Sequence, residues 1–344
     1  MSFRLQNTYL KNAMSKILIT GGAGFIGAHL ANILKKKNKI MIVDNLENKG
    51  GIPFIDKSSF LVKGNILDKK ILKKIERWKP DIIYHLAAQS GGEGAYDDPK
   101  KDFDTNGFGT YLIAKLAKKI KCKYFIYASS VAVYGSSNKK LTENSKINPD
   151  SIYGISKYTG EMFVNQLLKK TNIKTRIFRI FNTYGPGENL QNLKKGMVSI
   201  YCYFIWSKKP LIIKGSLNRY RNLTYIFDCV NILSKSIKNN KLKKFEILNL
   251  SHGKKITVKH LVKTILKVNN LNKWKIINKK GTPGDSFGTS AFNKNLKIKF
   301  NNYKFINLED GLKKYFQWIN SINRKKIFKS HPYHMSKNYK LNNF

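Results

Sequence analysis

A tyrosine and a lysine four residues apart, Tyr153 and Lys157 in Y-G-I-S-K, share one face if their segment is helical. A phenol ionises near pH ~10, too high for a base at neutral pH, and an ammonium one turn away favours its phenolate. Such a pair can take a proton from a hydroxyl and give it back. On its own Y-x-x-x-K is common and more often describes a surface helix with no chemistry. Two other stretches add what the pair lacks. In the run from Ala128 through Ser129 and Ser130 to Gly135, a serine hydroxyl at a strand end can hydrogen-bond a substrate oxygen, or merely cap a turn. In R-I-F-N-T-Y-G-P-G, from Arg179 to Gly187, Asn182 can bond substrate, or the segment is a plain chain reversal.

The elements that must carry these residues alternate. Apolar runs predict strands over 17–19, 40–43, 60–62, 82–86, 123–129 and 175–181. Helices are expected from Phe25 to Leu34, over 71–78, after Pro99 through Tyr111, Leu112, Leu116 and Ile120, and over 151–169. Alternation of this kind implies a parallel sheet wrapped on both faces, with ligands at the carboxyl ends of the strands.

The first strand runs into Gly21, Gly22 and Gly24, and Gly27 opens the helix. Gly21 suits the tight turn, Gly24 lets backbone approach a pyrophosphate, and Gly27 lets the helix lie close. Asp44 ends the second strand, where a carboxylate accepts from both ribose hydroxyls and repels a 2′-phosphate; the expected cofactor is therefore NAD rather than NADP.

The expected cofactor unit is 14–187 with 222–250. A smaller capping region occupies 188–221, with a helical stretch and a strand over 210–213, and 251–323. Residues 1–13 and 324–344 read as extensions. The sequence shows neither an apolar run of about 18 residues nor a signal peptide, so a cytoplasmic protein is expected.

The formal charge is +45, but of 65 basic residues only seven are Arg, spread with the lysines over every element. Sequence-reading nucleic-acid binders favour Arg for bidentate contacts, so no specific nucleic-acid partner is expected. The basic, aromatic tail beyond Arg324 is the one stretch suited to an anionic membrane surface. Cys122, Cys202 and Cys229 are widely spaced and read as reduced thiols, and His331 and His334 lack neighbouring ligands, so no metal is expected.

With these motifs in order, the chain resembles an extended short-chain dehydrogenase/reductase over roughly residues 15–320, specifically the NAD-dependent nucleotide-sugar epimerase/dehydratase family and most of all its UDP-glucose 4-epimerase group. The motifs are the glycine turn, His85-Leu86-Ala87-Ala88-Gln89, Asn106, S-S-V-A-V-Y-G, Y-x-x-x-K and R-x-F-N-x-Y-G-P-G. The resemblance implies a Rossmann-type doubly wound parallel sheet with a smaller α/β substrate-capping region. It assigns Tyr153 as acid/base, Lys157 as the group that lowers its pKa and bonds the nicotinamide ribose, and Ser130 as the group polarising the reacting oxygen. NAD would be held by Gly21, Gly24, Phe25, Ile26, Gly27, Asp44, Asn45, Asn65, Ile66, Leu86, Ala87, Ala88 and Asn106, besides Tyr153 and Lys157. Gln89, Ser130, Asn182 and Arg221 would hold the substrate, and Asp228 matches the family's acid after Arg221.

Val131-Ala132 stands where the family's 4,6-dehydratases carry an acidic pair, which favours an epimerase acting through a transient keto-sugar in polysaccharide-precursor synthesis. Asn65, Asn222, Met197-Val198 and Thr282 also depart from the common pattern. The alternatives are a dehydratase, reductase or decarboxylase of nucleotide sugars, a non-catalytic NAD-binding protein, and a membrane-associated enzyme acting on a lipid-linked sugar. By resemblance, helices near 100–120 and 151–170 pair with their copies in a homodimer.

Overall fold

Ile17, Leu18 and Ile19 are all fully buried, which requires covering layers on both faces of their strand. The computed structural model describes residues 14–47, 55–190, 192, 196–281 and 287–322. The expected extensions 1–13 and 324–344, the His331 and His334 pair, and the Thr282 turn lie outside the described residues.

Seven parallel strands form the central sheet: β1 (Ser15–Thr20), β2 (Asn38–Asp44), β3 (Phe60–Lys63), β4 (Ile82–His85), β5 (Tyr124–Ser130), β6 (Lys174–Ile180) and β7 (Phe245–Leu250). Their spatial order is β7-β6-β5-β4-β1-β2-β3. Strand order therefore reverses between β1 and β4, and a crevice opens there at the carboxyl edge.

The pleat divides the core. Ile17, Ile19, Ile40 and Ile42 face a cluster with Ala28, Leu30 and Ala31 of helix α1 (Phe25–Leu34). Leu18, Met41 and Val43 face the other side, where helix α2 (Lys69–Trp78) contributes Ile75 and α3 (Gly109–Ile120) contributes Ile113, Ala114 and Ala117. Helix α4 (Ile152–Leu168) carries Tyr153 and Lys157 and starts at Ser151, whose Oγ accepts from Gly154 N at 3.1 Å. Between Pro99–Phe103 and α3 the chain makes a π turn, Asp104–Phe108, where the expectation was one helix. A single inserted residue of this kind re-aims the side chains on either side of it.

Within the stretch expected to be helical after 188, the described residues form α5 (Met197–Trp206), followed by the strand Leu211–Lys214. Gly196 at φ +84° precedes the helix, and Lys208 at φ +57° with Pro210 ends its continuation. Leu211–Lys214 pairs in parallel with Ile276–Lys279, and Tyr220–Arg221 pairs antiparallel with Ile256–Thr257. The first apolar cluster continues without interruption from β1 and α1 into Val198, Tyr201, Cys202 and Leu211. Among the described residues no helix is long and apolar enough to cross a membrane.

Candidate active site

The turn after β1 explains its glycines. Gly21 has φ +68°, and a Cβ there would lie 2.6 Å from Ala87 N, so the turn is pressed against the chain leaving β4. A Cβ on Gly27 would lie 2.4 Å from Gly21 O, so the helix begins in contact with the turn itself. At Gly24 the one non-neighbouring atom of the described residues within 4 Å of such a Cβ is Gly21 O at 3.2 Å. Gly24 caps α1 without a side-chain hydrogen bond, and the first turn of α1 holds no acidic residue. Its amides thus face the cavity beside the positive end of the helix dipole. Gly21→Ala is expected to cost more than the ~1–2 kcal/mol of a left-handed alanine, because the added methyl meets backbone. Denaturant unfolding measures this, and an unchanged midpoint would show that the turn relaxes freely.

Asp44 closes the same turn from β2. Its Oδ2 accepts from Ala23 N at 2.9 Å and its Oδ1 from Leu46 N at 2.8 Å. Burial pushes its carboxyl up, and the two amide bonds work against that. Each oxygen keeps a lone pair for a ribose hydroxyl.

The cavity these elements bound has a volume of about 470 Å³. Gly21, Gly24, Phe25, Ile26 and Gly27 line one wall, and Asp44, Asn45, Asn65 and Ile66 line the next. Leu86, Ala87, Ala88 and Gln89 come from the loop after β4; Ser130, Tyr153, Lys157 and Asn182 complete the far end. The bare glycine wall and the acid at the tip of β2 fit a dinucleotide.

Two expected residues do not line it. Asn106, assigned to the cofactor, is wholly buried behind the wall, because the π turn aims its amide at Gln89 O (3.0 Å), Asp102 Oδ2 (3.0 Å) and Ser156 Oγ (3.1 Å). Its place is to hold the loop at Gln89. Arg221, assigned to the substrate, turns its Nη1 to Tyr220 O at 2.7 Å and Phe287 O at 3.3 Å, and burial beside Arg219 pushes it down to about 10. Asp228 accepts from Tyr303 Oη and Ile306 N, a tie between α6 (Ile226–Lys235) and the segment after residue 302, away from the cavity.

The electrostatics differ from the expectation for Tyr153. Burial pushes its phenol up to about 12, outweighing its hydrogen bond with Ser130. Burial also brings Lys157 down to about 8, against the pull of Asp102 and Glu161. The Lys157 ammonium stands 4.6 Å from the centre of the Tyr127 ring. Desolvation of both partners therefore offsets the help one gives the other.

His85 supports the wall. Thr110 Oγ1 donates to Asn106 O at 2.6 Å, so it accepts from His85 Nε2 at 2.9 Å, and Nδ1 is left to accept from Thr20 Oγ1 at 2.7 Å. Burial drives this imidazole down to about 3 and keeps it neutral. The residues sequence reasoning missed are Asp102 and Ser156. Their only signal was spacing, four before Asn106 and one before Lys157.

A family model described as the NAD dependent epimerase/dehydratase family matches residues 17–251. A putative UDP-glucose 4-epimerase of Methanocaldococcus jannaschii is 34% identical over 250 residues, covering 71% of this chain and 79% of that one. A dTDP-D-glucose 4,6-dehydratase of Dictyostelium discoideum is 33% identical over 271 residues, covering 71% of this chain and 62% of that one. Among solved structures, the UDP-glucose 4-epimerase of Thermotoga maritima with UDP-glucose superposes with a TM-score of 0.82 at 27% identity, over 89% of this chain and 98% of that one.

Proposed function

We propose, for a chain that belongs to the NAD dependent epimerase/dehydratase family, that it epimerises a nucleotide-linked sugar at C4 through a transient keto-sugar, with NAD as its cofactor. The observation that carries this is the convergence of Ser130, Tyr153, Lys157 and Asn182 on the cavity whose other wall is the glycine turn. We divide the chain accordingly, with 14–187 and 222–250 for NAD and 188–221 and 251–323 for the sugar nucleotide.

NAD, when bound, supplies the hydride acceptor and donor and a positive ring that joins Lys157 in favouring the Tyr153 phenolate. Tyr153 takes the proton of the reacting sugar hydroxyl and returns it after the sugar has turned. Ser130 hydrogen-bonds the same oxygen, while Asn182 and Gln89 fix the hydroxyls around it. Leu86, Ala87 and Ala88 line the wall on the cofactor's side and help hold NAD in place beside the sugar.

Val131, rather than an acid, lines the cavity beside Ser130, which favours epimerisation over loss of water. The 33% identical dehydratase keeps dehydration as the second reading. Mass spectrometry of the purified protein for bound dinucleotide, followed by UDP-, dTDP-, GDP- and CDP-sugars without added cofactor, separates them. An isomer of equal mass is expected. A product lighter by water would replace epimerase with dehydratase, and no turnover of any sugar would remove both.

We also infer a homodimer. Phe103 (48% exposed), Phe108 (46%), Ile155 (51%) and Met162 (55%) present apolar side chains to solvent on the neighbouring 99–108 segment and α4. The contact of Tyr111 with Phe163, ring centres 5.2 Å apart, holds α3 to α4. Met162→Lys is expected to halve the mass seen by light scattering, and a monomeric wild type would end this reading.

A further inference from the structure

Asp102 is a buried carboxylate that makes no direct ion pair among the described residues. It is fully inaccessible, and its Oδ1 accepts from Ser156 Oγ while its Oδ2 accepts from Asn106 Nδ2 at 3.0 Å. Both partners are donors, so the arrangement satisfies the ionised form. Among the described residues no Lys, Arg or His nitrogen lies within 4.0 Å of it. Such a charge is costly to bury alone.

The nearest cation along the network is Lys157, 2% exposed, which directly follows the Ser156 that donates to this carboxylate. Burial pushes the Asp102 carboxyl up, and its bonds from Ser156 and Asn106 and the Lys157 charge work against that. The other groups facing Lys157 do not balance it. Tyr127 from β5 offers a ring face, His85 from β4 is neutral, and Tyr153 lies one turn earlier on α4. Glu161, one turn later, is already paired with Arg179 at 2.7 Å. Two buried opposite charges, Asp102 and Lys157, are left for each other.

The same carboxylate is also a mechanical node. Ser156 Oγ lies 3.1 Å from Tyr153 O, and Asn106 reaches on to Gln89 O. Asp102 thereby ties the turn that carries Tyr153 and Lys157 to the loop after β4.

We propose that Asp102 is a positioning residue of this site: held by Ser156 and Asn106, it sets a fixed negative charge behind Tyr153 and Lys157 that balances the Lys157 ammonium and locks their helix to the Gln89 loop. The proposal rests on reading Tyr153 and Lys157 as the proton-transfer pair. Removing a negative charge lets both groups release their protons more readily. Lys157 then loses its ammonium at lower pH, and Tyr153 reaches its phenolate at lower pH. Both limbs of a pH–rate profile move to acid. A purely structural defect would lower the profile without moving it.

The test is ¹³C-lysine NMR of the NAD-saturated protein, with the Lys157 signal identified by its loss in Lys157→Met. In Asp102→Asn the Lys157 midpoint is expected about one pH unit below that of the wild type, and sugar turnover should shift to acid on both limbs. An unmoved midpoint overturns the proposal. If the Asn variant does not fold, Asp102→Ser, which keeps a hydrogen-bonding oxygen without charge, gives the same comparison. Ser156→Ala removes a hydrogen bond and keeps the charge, so its midpoint should stay with the wild type; a shift as large as that of the charge-removing variant would overturn the assignment. Absence of sugar turnover in the wild type would remove the proposed function, while the NMR midpoints would still decide the role of Asp102.

Discussion

Tyr153→Phe is expected to cut turnover by roughly 10²–10⁴-fold, the usual contribution of a positioned acid/base, and to leave NAD bound. The phenyl ring keeps the packing of the first turn of α4, so the change is confined to one oxygen. That oxygen is the one bonded to Ser130 in a cavity where burial already pushes the phenol up to about 12. Most of the contacts proposed for the cofactor lie elsewhere, among them the bare amides of the glycine turn and Asp44, so losing the Tyr153 oxygen leaves them in place. Bound dinucleotide released on denaturation should match the wild type, while isomer formation is lost. Epimerisation retained in this variant would sink the mechanism.

Arg179→Met is expected to destabilise the protein by about 3–5 kcal/mol, the cost of leaving one member of a buried ion pair uncompensated. Arg179 and Glu161 lie 2.7 Å apart with side chains 4% exposed each. Glu161 Oε1 also accepts from Ser129 Oγ at 2.5 Å, and Arg179 Nη1 donates to Tyr134 Oη at 2.8 Å. The pair therefore joins α4, β6 and the end of β5, one residue from Ser130. Urea unfolding measures the loss, and Arg179→Met combined with Glu161→Met should recover part of it, since no charge is then left unpaired. A loss under about 1 kcal/mol for the single variant would place the pair with solvated ones.

The glycine turn, Asp44 and the alternation of strands and helices were legible in the sequence because each answers a local demand. Gly21 needs a positive φ, Asp44 ends an apolar run, and strands buried on both faces read as continuous aliphatic segments. Asn106 was legible as a marked residue, but its direction was not. That direction depends on the π turn at Asp104–Phe108, which the apolar spacing does not announce. Asp102 and Ser156 were hidden for a related reason, since each looks like an ordinary polar residue on a helix until Asn106 is swung between them. The balance of charges at Tyr153 and Lys157 was also out of reach. The spacing of four showed that the two are neighbours, whereas the depth at which both are buried, which sets their pKa shifts, is decided by the tertiary packing around them.

The unbroken apolar cluster linking β1 and α1 to Val198, Cys202 and Leu211 bears on how this protein could be re-engineered. Among the described residues, the part that carries the cofactor wall and the part above it share one interior, with no seam there along which to hinge them or cut them. A chimera that borrowed α5 and its neighbouring strands from a relative would import side chains shaped for a different sheet and a different first helix. Recruiting a new sugar is better attempted by changing single residues on the cavity wall, such as Val131 or Asn182, than by exchanging the cap as a module.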